Sequence, residues 1–582
     1  MKQFFKFTLA AIVGMLVVSI INFMLFFGII GAMVSSSEKV TVLKPNSVYE
    51  LNLSGELADR SEDPFSAILQ QAMGNQSYQS LGLNDVLANI EKAKNDDKIA
   101  GIYLKGGTLS GGIASLKEIR DALVDFKTSG KFIVAYADMY SQSNYFLASV
   151  ADKICVNPQG TVDFQGLASQ TPFFKNMLEK IGLEMQIVKV GTYKSAVEPY
   201  IETSMSDANR EQVTKYVGSI WNNMLEQISS ARQIPVTQLN IYADEMLGLQ
   251  PVELALNYQL IDSLVYVDEM DSIINAYAAD YKTVKHSELL TVTSKKKNNR
   301  NRIAVVYAVG DIDGSDSNNG IVSEKLVKTL DKVAKDDKIK AVVLRVNSPG
   351  GSAYGSEQIW RAVGNLKSKK PVIVSMGNYA ASGGYYIACI ADTIVAQPNT
   401  LTGSIGIFGM IPNAEGLTKK IGVNFDGVKT NKMSDGITLL RRFTADERDL
   451  LQKYVNSGYE TFVTRCADGR GMTTDAIKEI AEGRVWTGED ALKLGLVDVL
   501  GGLSDAINIA AAKAEIENYQ VKEYPEPENF MTTLLGGVDT KMENKMLKKQ
   551  LGEYYNVFQQ IKNIESMCGT IQARMPYDIV IK

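Results

Sequence analysis

The sequence predicts two tandem α/β domains, each built on a mainly parallel sheet, behind one N-terminal transmembrane helix. Three observations predict this. A pattern in the first half recurs in the second at a shift of 240 residues. Each copy runs apolar strand, glycine turn, helix, the order that builds parallel sheet. Residues 7–34 form an uncharged run of 28 residues, and a spanning helix needs about 20. The chain of 582 residues is long enough for two to four domains. A net charge of −5 shows no basic surplus, so nucleic acid is not an expected partner.

The first element is the run FTLAAIVGMLVVSIINFMLFFGIIGAMV at 7–34. It exceeds the roughly 7–15 apolar residues of a cleaved signal peptide. Lys2 and Lys6 precede it, which predicts a cytoplasmic N-terminus and an anchor in the bilayer. A cleaved signal peptide is the alternative reading.

The duplication comes next. Asp96-Asp97-Lys98-Ile99 recurs as Asp336-Asp337-Lys338-Ile339. Apolar strands follow, Gly101-Ile102-Tyr103-Leu104 and Ala341-Val342-Val343-Leu344. They end in the glycine turns Gly106-Gly107 with Gly111-Gly112, and Ser348-Pro349-Gly350-Gly351. Helices are expected over 116–126 and 355–366, then the strands 131–135 and 371–375. Ala151-Asp152-Lys153-Ile154 matches Ala391-Asp392-Thr393-Ile394. Lys215-Tyr216-Val217 recurs as Lys453-Tyr454-Val455, on a helix opened by the capping box Thr444-Ala445-Asp446-Glu447. The expected organisation is an anchor at 7–34, a first domain at 45–282 and a polar linker at 283–302 containing Lys295-Lys296-Lys297. A second domain at 303–520 and a C-terminal extension at 521–582 follow.

The candidate chemistry centres on Met376-Gly377-Asn378-Tyr379-Ala380-Ala381-Ser382-Gly383-Gly384-Tyr385-Tyr386. It lies between a predicted strand and a helix expected from Tyr385. A serine flanked by alanines and glycines suits a nucleophile, because small neighbours admit a substrate and helix amides point toward it. The same residues would also serve an ordinary N-cap. The single histidine, His286, falls in the predicted linker, a poor place from which to complete a Ser-His-Asp triad. One histidine also excludes H-E-x-x-H metal hydrolysis. Cys155, Cys389, Cys466 and Cys568 form no C-x-x-C pair, which argues against a zinc ribbon or a disulfide scaffold. No metal or cofactor is expected.

The halves can be compared directly. Ser382, Gly383 and Gly384 fall opposite Gln142, Ser143 and Asn144, so only the second copy can carry an active serine. The first copy instead carries Val190-Gly191-Thr192-Tyr193-Lys194-Ser195. A lysine replaces histidine as a base when burial lowers its pKa by about three units from about 10.4. A surface lysine at a strand end is the plain alternative. Lys432, the counterpart in the second copy, competes for the role.

The turn at 380–386, together with Ser348-Pro349-Gly350-Gly351, Thr402-Gly403-Ser404-Ile405-Gly406 and Gly191-Thr192-Tyr193-Lys194-Ser195, resembles the long form of the signal peptide peptidase A (protease IV) family. These are bacterial membrane-anchored serine proteases with a Ser-Lys dyad. The resemblance covers nearly the whole chain and implies two Clp protease/crotonase-like domains. It implies Ser382 as nucleophile, Lys194 as general base from the first domain, and an oxyanion hole from Gly350, Gly351 and Gly383. Ser404 would hydrogen-bond the lysine; its counterpart, Phe164, cannot. The implied substrates are signal peptides left after export and other short apolar peptides. The implied assembly is a homotetramer, anchored in the bacterial inner membrane with its catalytic domains outside the cytoplasm. Two rival readings are a catalytically silent anchored scaffold of the same fold and a crotonase-type acyl-CoA enzyme. The anchor argues against the second, because CoA is cytoplasmic.

Overall fold

The computed structural model describes residues 2–37, 41–61, 80–292, 300–314, 320–526 and 571–575. The first half supplies strands β1 (Ser47–Ala58), β2 (Ser80–Gly82), β3 (Ile99–Ser110), β4 (Phe132–Tyr140), β5 (Lys153–Val162), β6 (Glu184–Lys189), β7 (Ser263–Leu264) and β8 (Lys282–Lys285). The second supplies β9 (Arg302–Val309), β10 (Ile339–Ser348), β11 (Gly350–Ser352), β12 (Val372–Ala381), β13 (Thr393–Ala396), β14 (Leu401–Gly403), β15 (Phe408–Asn413), β16 (Val485–Thr487), β17 (Val499–Leu500) and β18 (Gln520–Tyr524). A last described strand, β19, spans Ile571–Arg574.

The duplicated apolar runs lie in the sheet centres. Gly101 to Leu104 in β3 and Ala341 to Leu344 in β10 are buried throughout, as expected of parallel strands covered on both faces. The first sheet has the order β2-β1-β3-β4-β5-β7, with β8 also beside β1, and every pair is parallel. The second has the order β16-β14-β12-β10-β9-β18, with β13 joining β12 to β17; only β14–β16 is antiparallel. The repeated motifs do the same work in both halves. Asp152 and Asp392 each accept a hydrogen bond from the amide that opens the neighbouring strand, Ile133 or Val372, both at 2.8 Å. Tyr145 and Tyr385 donate to the carbonyls of Leu260 and Leu496.

Several boundaries differ from expectation. The predicted linker at 283–302 is folded as far as residue 292: β8 pairs with β1, and the helix His286–Thr291 follows. The predicted extension at 521–582 begins inside β18, which pairs with β9 as β8 does with β1. The polar β8, with Val284 its only buried residue, reads as linker because an edge strand needs little apolar surface. His286 opens a helix, with Nδ1 2.7 Å from the Tyr49 hydroxyl, and burial pushes its pKa down to about 4. The strand before Ser382 runs to Ala381, and the helix after it starts at Gly383, two residues before the predicted start. Lys295-Lys296-Lys297 and Cys568 lie outside the described residues.

A helix over Lys2–Ser37 covers the predicted anchor at 7–34. Part of that segment's side chains lies outside the described residues. Among the described residues, no helix is long and apolar enough to cross a membrane.

A third sheet, β11-β19-β15-β6, is antiparallel and draws on both halves. In it β6, the apolar strand before Lys194, pairs with β15 of the second half over six positions, from Glu184↔Asn413 to Lys189↔Phe408. The halves are also joined through buried charge. Arg345 on β10 is fully buried, with Nε 2.8 Å from Asp59 and Nη2 2.7 Å from Glu118, both from the first half. Glu118 in turn accepts from the Leu503 amide at 2.7 Å. Beside this cluster, Asn378 accepts from the Ser115 amide and donates to its hydroxyl. A Cβ on Gly112 would stand 2.1 Å from Asn378 Cγ, so glycine is required for this approach.

Removing one member of a buried ion cluster leaves the others charged and unpaired. Arg345→Met is expected to lower the unfolding free energy by about 3–5 kcal/mol in urea titrations. Arg345→Lys should not restore it, because an ammonium cannot span both carboxylates as the guanidinium does. A loss below about 1 kcal/mol, as at an exposed pair, would show that the cluster does not hold the halves together.

Candidate active site

Ser382 ends β12 and caps the helix Gly383–Ala388 with φ +55° and ψ −113°. A non-glycine residue at positive φ is strained. The bend is held by the Ser382 amide, which donates to the Gly403 carbonyl at 2.7 Å. That amide is therefore already engaged. The hydroxyl turns inward, and the residue is fully buried.

Lys194 reaches this serine from the other half. β6 ends at Lys189, and Gly191 turns the chain with φ +107°. A Cβ on Gly191 would meet the Glu482 carbonyl at 2.5 Å. The loop Glu482-Gly483-Arg484 then grips the segment. Tyr193 donates its amide to the Glu482 carbonyl at 2.9 Å, and the Thr192 amide and hydroxyl donate to the Glu482 carboxylate. Gly483 lies against Lys194 so closely that a Cβ there would be 2.7 Å from Lys194 Cβ. Gln212 adds a bridge, donating to the Tyr193 carbonyl and accepting from the Val485 amide.

The Lys194 amine is fully buried. Its Nζ lies 2.7 Å from Ser382 Oγ, 3.0 Å from the Ser404 carbonyl oxygen and 3.1 Å from Ser404 Oγ. Among the described residues no carboxylate partners it, and burial alone pushes its pKa well below the usual lysine value. A neutral amine has two N–H donors and one lone pair. All three partners are oxygens: Ser404 accepts twice and Ser382 Oγ accepts at 2.7 Å, while the Ser382 hydroxyl turns to the Gly406 carbonyl at 3.4 Å. Turning that hydroxyl onto the lone pair of a neutral amine sets up proton transfer. An ammonium has no lone pair to offer. The arrangement can take the Ser382 proton as Oγ attacks a carbonyl.

The predicted site residues do not all come together in the expected way. Ser382, Lys194 and Ser404 meet directly. Gly351 and Gly383 lie beside the serine turn, but the Gly350 amide donates to Ser348 Oγ at 3.2 Å and is already engaged. Gly350 instead contributes its missing side chain, since a Cβ there would stand 2.8 Å from the Gly383 nitrogen. Lys432 is exposed and ion-paired with Asp446, so it does not compete for a buried serine. Phe164 is buried among Tyr145 and Trp221 in the first half. The Glu482-Gly483-Arg484 loop and Gln212 escaped the sequence reading. A glycine between two charged residues ahead of β16 was the only local signal for that loop.

The buried amine carries a pH signature. Unfolded, Lys194 is protonated below about pH 10.4; folded, it keeps its proton only to a lower pH. Between those two values the unfolded chain binds more protons, so stability rises with pH, by up to about 1.4 kcal/mol per unit from this group. Lys194→Met is expected to remove that slope and to be the more stable protein on the acid side of the window. Urea titrations between pH 7 and 10 measure it. Identical slopes for the two proteins would mean that the folded lysine is charged.

Comparison with known proteins agrees with this geometry. The model of peptidase family S49 matches residues 125–279 and 364–517, one match in each half. The Clp protease model matches residues 294–402. "Protease 4" of Salmonella typhi is 37% identical over 491 residues, covering 81% of this chain and 79% of that protein. "Protease 4" of Haemophilus influenzae is 36% identical over 509 residues, covering 84% of this chain and 83% of that protein. The chloroplastic "Serine protease SPPA" of Arabidopsis thaliana is 32% identical over 519 residues, covering 86% of this chain and 74% of that protein. The chain belongs to peptidase family S49 and is a serine protease with two α/β halves, the second carrying the Clp protease match.

Proposed function

We propose that the protein is a membrane-anchored Ser-Lys endopeptidase that degrades signal peptides left after export and other short apolar peptides. The observation that carries the dyad is the buried Lys194 amine, 2.7 Å from Ser382 Oγ and, among the described residues, without a carboxylate partner. Lys194 takes the serine proton as Oγ attacks the peptide carbonyl. The oxyanion is received by the Gly351 and Gly383 amides. Lys194 then gives the proton to the departing amine and activates the water that releases the acyl group. Losing one oxyanion donor typically costs on the order of 3 kcal/mol in the barrier.

The anchor is argued from sequence. Residues 7–34 are uncharged, and Lys2 and Lys6 precede them, the pattern of a single pass with a cytoplasmic N-terminus. The catalytic halves then stand outside the cytoplasm of a bacterial cell, where cleaved signal peptides lie in the same bilayer. A homotetramer is the assembly that accompanies this reading.

The test is hydrolysis of a signal-peptide-like substrate by the full chain in detergent. Ser382→Ala should fall to background, and Lys194→Ala by roughly 10²–10⁴-fold, the usual worth of a general base. Lys432→Ala should keep wild-type activity. Full activity in Lys194→Ala would sink the cross-domain dyad. Equal background in all four proteins would favour a silent scaffold.

A further inference from the structure

One buried side chain is bonded to the supports of both dyad residues. Gln212 lies on the helix Asp207–Arg232 of the first half and is 1% exposed. Its Nε2 faces the Tyr193 carbonyl at 3.1 Å and Ser195 Oγ at 3.0 Å, so it holds the residues on either side of Lys194. Its Oε1 accepts from the Val485 amide at 3.1 Å. Val485 opens β16 and stands opposite Gly403 of β14, whose carbonyl takes the Ser382 amide at 2.7 Å. The Arg484 carbonyl, one residue earlier, accepts from the Ser404 amide at 2.7 Å. One amide group therefore links the segment bearing the amine to the strands that hold the serine bend and Ser404. Its orientation is fixed, because a backbone carbonyl only accepts and a backbone N–H only donates. Asn209 supports it from behind: its Oδ1 lies 3.1 Å from Gln212 Nε2, and its Nδ2 donates to the buried Glu198 carboxylate at 2.9 Å.

We propose that Gln212 is a positioning residue of the dyad, setting the distance from Lys194 to Ser382 by bonding to the backbone of both halves. This rests on the protease reading above and assigns a further residue to the same site. The position demands a donor and an acceptor at one side-chain end, which an amide supplies and a carboxylate or a hydrocarbon does not. The second copy offers a comparison. In the alignment that sets Lys215 opposite Lys453, Gln212 falls opposite Leu450, which is 57% exposed, and that copy's lysine, Lys432, ends on the surface. The amide is thus present where the lysine is buried and absent where it is not. The charged groups near the segment are engaged elsewhere: Glu198 with Ser206, Glu211 with Arg484 and Glu482 with Thr192. Gln212 holds the amine in place without bringing a charge to it, which a carboxylate at this position would do.

Kinetics of the full chain in detergent test this. Gln212→Met keeps the volume and loses both bonds; Gln212→Glu keeps the acceptor for Val485 and loses the donor. Each should lower kcat by roughly 10–100-fold with KM within about twofold, since a misplacement on the order of 1 Å costs about that much. A slackened amine also meets more water, which favours its charged form. The acid limb of the kcat profile, where Lys194 loses its proton, should therefore move up by about one pH unit in both variants. A residue that merely supports the fold would reduce the amount of active enzyme and leave that limb in place. Wild-type kcat in either variant, or a fall in kcat with an unmoved limb, would overturn the proposal. Stability separates this inference from the protease reading, whether or not any form hydrolyses substrate. The pH dependence that Lys194 contributes between pH 7 and 10 is the difference between each protein and its Lys194→Met partner, and it should shrink in Gln212→Met. An undiminished difference would also overturn the proposal.

Discussion

A buried amine whose charge is disfavoured by burial is the constraint on which the site depends. Among the described residues Lys194 meets no carboxylate, only a serine hydroxyl and the two oxygens of Ser404. A carboxylate there would restore the charge and remove the lone pair. Burial of this degree is not available at the end of one strand. It requires walls from the second half: the Ser404 turn, the 482–484 loop and the serine turn itself. The proposed base and its low-dielectric surroundings therefore come from different copies of the repeat.

That requirement explains the architecture around the site. β6 stays out of the first sheet and pairs with β15, which carries Lys194 into the second half. The strand pairing fixes its height, and Gly191 and Gly483 allow the backbones to approach closely enough for the side chain to reach. The Arg345 cluster with Asp59 and Glu118 acts at a distance, holding the two sheets in one relation. A buried ion cluster is a poor source of net stability. Its geometric demands make it effective at fixing one docking arrangement, since any shift unpairs charges in a dry interior.

Much of this was legible in sequence because the chain is written twice. The repeated Asp-Asp-Lys-Ile and Ala-Asp-x-Ile motifs located the central strands, and Gln142 in place of serine pointed to the second copy as the one with a candidate nucleophile. The edge strands β8 and β18 were not legible. Their polar composition suits solvent as well as it suits a sheet edge, so they read as linker and extension. The mixed sheet was illegible for another reason. Nothing in 184–189 states that the strand pairs with 408–413, as Lys189 does with Phe408 and Glu184 with Asn413, because the alternation of an edge strand does not encode its partner. The grip of Glu482 on 192–193 joins one backbone–backbone bond to two on its carboxylate, and a lone glutamate before a glycine does not state so distant a partner.

The two copies show how the division of labour is maintained. Gln142 stands where the second copy has Ser382, and its side chain accepts from the Gln165 and Gly166 amides and donates to the Gly166 carbonyl. Gly166 is the counterpart of Gly406, whose carbonyl lies 3.4 Å from Ser382 Oγ. The glutamine thus fills the space that a nucleophile and its base would share. The second copy is altered in the complementary place. Residues 422–427, opposite β6, form no strand, and Lys432 ends on the surface beside Asp446. A second dyad would need the 422–427 segment to pair against the first half, as β6 pairs against the second, and the glutamine to withdraw. Restoring serine at 142 alone supplies neither, because the hydroxyl would face Gly166 with no amine to take its proton.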